Sequence, residues 1–66
     1  MRLIQQYQHN DRVVKVHWNS QLQEYKVSLF RAGKHYEPGD YFTDDKSDAL
    51  ASGQLMVRDA SSSDIL

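Results

Sequence analysis

Three groups of residues in this chain have types and spacing that could do chemistry. The acids Asp40, Asp44, Asp45 and Asp48 crowd into nine positions. A calcium loop needs acids at alternating positions and a glycine at its sharp turn, and this spacing does not supply them. The histidines His9, His17 and His35 are the second group. Two or three imidazoles without a cysteine or a placed carboxylate make a poor zinc site. The third group is Lys15, His17, Lys26, Arg31 and Lys34, interleaved with Phe30. Cations with an aromatic among them suit a phosphate backbone or a nucleic-acid groove.

No hydrolytic centre emerges. Ser28 and Ser47 lack the strand–turn–helix setting of a nucleophile elbow. Sixty-six residues leave little room for a pocket of a few hundred Å³. The expectation is a chain that is not an enzyme and uses no cofactor, metal or small-molecule substrate. There is no cysteine, so no disulfide framework. No apolar run reaches the roughly 20 residues a membrane span requires, and MRLIQQYQ has no signal-peptide core. A cytoplasmic protein of bacterial or viral scale is expected.

The net charge of −1 conceals an asymmetry. Residues 1–36 carry Arg2, Arg12, Lys15, Lys26, Arg31 and Lys34 against Asp11 and Glu24, a balance of +4. Residues 37–66 carry Lys46 and Arg58 against Glu37, Asp40, Asp44, Asp45, Asp48, Asp59 and Asp64, a balance of −5. If the halves form opposite sides of the fold, one is basic and the other acidic.

The elements that must position these groups are short strands and one helix. Residues 2–8, RLIQQYQ, offer a first strand with no clear buried face, and His9-Asn10-Asp11 is a turn cluster. Residues 12–18, RVVKVHW, form a strand by their β-branched content. Val14, Val16 and Trp18 share one face, and Val13, Lys15 and His17 the other. Residues 24–30, EYKVSLF, form the next strand, with Tyr25, Val27 and Leu29 inward. Pairing Val16 with Val27 and Trp18 with Tyr25 keeps Lys15 away from Lys26, so that register is favoured.

Arg31-Ala32-Gly33-Lys34 is a tight turn with glycine at a positive φ. A third strand begins at His35, is interrupted near Pro38, and resumes at Tyr41 and Phe42. Thr43, Asp44 and Asp45 are all candidate helix caps, and if Asp45 is the cap, Asp48 sits three residues on as in a capping box. Ala49, Leu50, Gly53, Met56, Val57 and Ala60 then recur at helical spacing as the buried stripe, and Leu55 lies off it. Gly53 on that stripe predicts close approach to the sheet. Trp18, Tyr25, Tyr36 and Phe42 are expected in the core, with Phe42 closing its end.

The resulting fold class is α+β: a three-stranded antiparallel sheet, or four with residues 2–8, and one C-terminal helix on one face. Residues 1–60 make one domain, and residues 61–66 a flexible tail. So small a chain buries only about 60% of its unfolded surface, which favours a homodimer.

From Tyr25 onward, Y-K-V-S-L-F-R-A-G-K-H-Y, then Y-F-T and a helix with alanines, the layout resembles two families. These are the arm-binding regions of phage integrases and the plant ethylene-response-factor DNA-binding domain. The resemblance covers about residues 13–57 and rests on layout, with no diagnostic motif. It implies that the sheet enters the major groove with the helix behind it. Lys15, Lys26 and Arg31 would then face groove or phosphate. The chain departs from both families in lacking an arginine-rich strand and in its net negative charge.

Two functional expectations follow. One is a binding module for nucleic acid, using Lys15, His17, Lys26, Phe30, Arg31 and Lys34 on the uncovered sheet face. It requires that face to be basic. The other is a protein-binding accessory or inhibitor of phage or plasmid type, acting through Asp44, Asp45, Asp48 and Leu55 on the helix side. An exposed Val13–Phe30 patch, which would also serve self-association, is the alternative surface for that partner.

Overall fold

The structure is a computed structural model that describes residues 1–62. Strand β1 spans Arg2–His9, β2 Arg12–Asn19, β3 Glu24–Arg31, β4 Lys34–His35 and β5 Tyr41–Thr43. Helix α1 spans Lys46–Ser62. A single 3-10 turn, Glu37–Gly39, separates β4 from β5. The sheet is antiparallel in the order β1-β2-β3-β4, and β5 continues the β4 side by pairing with β3. The class is α+β as expected, with residues 2–9 as a full strand. The helix runs to Ser62, two residues past Ala60. Residues 63–66 of the expected tail lie outside the described residues.

The register between β2 and β3 follows from their hydrophobic pattern. Val14 faces Leu29, Val16 faces Val27 and Trp18 faces Tyr25. A slip of one residue would turn all of these outward. The Trp18 and Tyr25 rings lie 4.6 Å apart at 50°, an aromatic cross-strand pair at the end of the core. Val14, Val16 and Val27 are fully buried, each contributing roughly 1.5 kcal/mol or more by leaving water. Ala49 and Val57 of α1 close over them, with Ile4, Tyr7, Leu50 and Met56 around the rim.

Three turns hold this register. Asn10 adopts a positive φ between β1 and β2. Asn19 Oδ1 accepts bonds from the Gln21 and Leu22 amides, shaping the loop from β2 to β3. Ala32 and Gly33 both have positive φ, 52° and 81°, the primed geometry that matches the twist of a hairpin. The Ala32 amide donates to Asp11 O at 2.9 Å, tying the first turn to the third.

Of the three candidate caps, Asp45 is the one that holds the first turn. Asp45 Oδ1 accepts from the Ser47 amide at 2.9 Å and the Asp48 amide at 3.3 Å. The reciprocal half of the capping box is built differently. Thr43 Oγ1 accepts from the Asp45 amide, and the Asp48 carboxylate instead accepts a 2.6 Å bond from the Tyr41 hydroxyl. That bond is what raises the Tyr41 pKa above its ordinary value of 10.0, since losing the proton would set phenolate against carboxylate.

Gly53 is buried against the sheet. A Cβ there would lie 3.1 Å from Tyr7 Cε2 and 3.3 Å from Val14 Cγ1. Glycine therefore lets the helix lie against β1 and β2, as its place on the stripe predicts.

Of the four aromatics expected in the core, Trp18 and Tyr25 are half-buried, and the other two are exposed. Tyr36 is 49% exposed and Phe42 51% exposed. Phe42 pairs across from Lys26, which puts it on the face opposite Val27 and the helix. It does not close the core. The cause is the 3-10 turn, whose three residues are an odd insertion. An odd shift exchanges the two faces of a strand, so Tyr41 turns toward the helix and Phe42 away from it.

Candidate functional site

The uncovered face of the sheet is a grid of cross-strand rows. Leu3, His17, Lys26 and Phe42 form one row. Gln6, Lys15 and Ser28 form the next, and Gln8, Val13, Phe30 and His35 the third. Alternation along each strand fixes this face, because the intervening residues are the core valines and Leu29.

Its side chains are linked. Lys15 Nζ stands 4.9 Å above the centre of the Phe30 ring, a cation–π contact. The His35 ring stacks on Phe30 at 5.0 Å and 27°. His35 Nε2 lies 2.8 Å from Asp40 Oδ1, and Asp40 Oδ2 lies 3.6 Å from Lys26 Nζ. Asp40 is delivered to this place by the turn that precedes it, where its amide donates to Glu37 O. An open depression of about 320 Å³ is lined by Gln6, Val13, Lys15, Phe30 and Gly33. Among the described residues that line it, Lys15 is the ionisable one.

The pattern of charge corrects the sequence reading. Lys15, His17 and Lys26 do share the uncovered face with Phe30. Arg31 and Lys34 do not. They pair with each other, two positions on from Leu29, and so belong to the face that carries the helix. Arg12, opposite Arg31, is buried on that same side. Asp40 meanwhile sits among the cations of the uncovered face, and Glu24 stands on it at the start of β3. The two lysines are therefore matched by two carboxylates, and the face is mixed in sign.

Burial first, then Lys15, Lys26 and the amino terminus, lower the pKa of His17 below its ordinary 6.5. Three cations thus act on one imidazole.

On the helix side, Asp45 and Asp48 are committed to the cap and to Tyr41. Asp44 is exposed and Leu55 is 50% exposed. Val13 and Phe30 are half-buried cross-strand partners on the uncovered face. Among the described residues, no three His, Cys, Asp or Glu side chains gather as a metal site would require. None of the described helices is long and apolar enough to cross a membrane.

Sequence reasoning missed Phe42 and Asp40 as members of this face. Both lie after the 3-10 turn, where period-two counting fails. The signal for the break was the Glu37-Pro38-Gly39 run itself, but its length, and hence its parity, is set by the fold. The chain matches no family model, and neither the curated proteins nor the solved structures hold a match to it.

Proposed function

We propose that this chain is a small non-enzymatic binding module whose uncovered sheet face receives another protein. The observation that carries this reading is Phe42, a half-exposed aromatic standing outward beside Lys26. The same face carries Leu3, Val13 and Phe30, uncharged Gln6 and Gln8, and charges of both signs. Aromatic anchors within a polar surround of mixed sign suit a protein interface. A polyanion is less well served, because binding by phosphate neutralisation needs several uncommitted cations. Here Asp40 already engages Lys26, and Lys15 lies over Phe30.

The test is affinity capture from the organism that encodes the chain, comparing wild type with Phe42→Ala. One stoichiometric protein, lost with the variant, supports the reading. Equal recovery by both counts against it.

A second reading, nucleic acid as the partner, rests on Lys15 and Lys26, which share the uncovered face with His17. Lys26 stands opposite His17 and Lys15 two residues before it, and a phosphate group could lie against both. Mobility shift at two salt concentrations tests it. Binding that weakens steeply with salt supports nucleic acid, and no shift at low salt removes it.

A further inference from the structure

The two edges of the sheet are unlike. The β3 side is broken: β4 has two residues, β5 has three, and the 3-10 turn lies between them. Lys34, Glu37 and Asp40 add charge along it. Short segments, a break and charge are the devices by which sheets avoid pairing with other chains.

The other edge has fewer of them. β1 is eight residues long and pairs with β2. Among the described residues no strand lies on its other side. Its stretch LIQQYQ, residues 3–8, contains neither charge nor proline. The one irregularity is a bulge between Leu3 and Gln5. The Gln6 amide donates to the side-chain Oε1 of its own neighbour, Gln5, at 2.9 Å. It is directed to the open edge, and an exposed side chain holds the place another strand's carbonyl would take.

We propose that β1 pairs antiparallel with β1 of a second copy of this chain, about a two-fold axis at Gln6. A two-fold axis normal to the sheet sets one edge strand antiparallel to its own copy. Gln6 then faces the partner's Gln6, and Gln5 faces the partner's Tyr7. The charges agree with this direction. The Met1 amino group and Arg2 lie at one end of β1, and Asp11 follows the other end. Antiparallel pairing carries the cationic end of each strand to the acidic turn of its partner. Parallel pairing would set like charges together. The product is one continuous sheet with both helices on the same side and the two uncovered faces joined. This inference is independent of what the uncovered face binds.

Sedimentation equilibrium on the full chain tests it. The wild type is expected to dimerise with rising concentration. Gln6→Pro removes the edge-facing donor, and Gln6→Lys sets two like charges at the axis. Both are expected to weaken association at least tenfold, while Phe42→Ala leaves it unchanged. A wild type that stays monomeric overturns the proposal. So does a dimer indifferent to both Gln6 substitutions, or one broken by Phe42→Ala. A mixed sample of labelled and unlabelled wild-type chains decides the matter without any variant. Intermolecular NOEs between Gln5 and the partner's Tyr7 are expected, and a dimer lacking them contradicts the pairing.

Discussion

Phe42 stands directly across from Lys26 on the side of the sheet that the helix leaves open. Its ring is not part of the core, so its removal separates binding from folding. Phe42→Ala is expected to change unfolding free energy by about 0.5 kcal/mol or less, as exposed positions do. Leu29→Ala, in the core, is expected to cost about 2–5 kcal/mol. Urea titration of the two variants beside wild type checks the contrast.

Gly53 and the Tyr7 ring define how closely the helix lies on the sheet. Gly53→Val is expected to destabilise by about 1–3 kcal/mol through overpacking. Gly53→Ala gains about 1 kcal/mol of helix propensity, which crowding against Tyr7 and Val14 offsets. In a Tyr7→Ala background that gain is expected to reappear. A double-mutant cycle followed by denaturant unfolding reads the coupling, and a cycle that closes at zero would show the contact to be without energetic weight.

Asp40 offsets the charge of Lys26 on the uncovered face and also contacts the His35 ring. Asp40→Asn removes that offset. The stability cost is expected to be within about 1 kcal/mol, since neither member of the Lys26–Asp40 pair is deeply buried. The larger effect is expected in a mobility-shift assay at low salt. The variant should retain a short oligonucleotide more strongly than wild type does, and salt should abolish the difference.

His17 has a pKa below 6.5 in the fold. The unfolded chain therefore takes up its proton at higher pH than the folded one. The stabilisation is fully present above about pH 6.5 and is lost as pH falls through the folded value. Melting temperature is expected to drop on acidification through this window, and His17→Gln to remove that part of the drop. Thermal melts at half-unit pH steps check the sign.

Asp45 closes the first turn of the helix through two amides. Asp45→Ala is expected to cost about 1 kcal/mol, measured by chemical denaturation. Asp48→Ala acts elsewhere. Its readout is a Tyr41 titration moved back toward 10.0, followed by ultraviolet absorbance.

Much of the fold was legible in the sequence because it depends on local rules. The β2–β3 register follows from two runs of alternating apolar residues. The helix start follows from Asp45, and the close helix approach from a glycine on an apolar stripe. The site was harder to read. Arg31 and Lys34 could have been placed by counting on from Leu29, yet their nearness to a turn hid which face they take. Phe42 and Asp40 could not be counted at all, because their faces depend on a turn of odd length. The expected basic flank came from adding charges along the chain. Alternation then divided those charges between the two faces, and the turn returned one aspartate to their midst.

The most direct test of the account is affinity capture with three baits: wild type, Phe42→Ala and Leu55→Ala. Phe42 and Leu55 are equally exposed apolar residues on opposite sides of the molecule. One stoichiometric protein is expected with wild type and with Leu55→Ala, and its loss with Phe42→Ala. Retention by Phe42→Ala with loss by Leu55→Ala would move the binding surface to the helix and contradict the account.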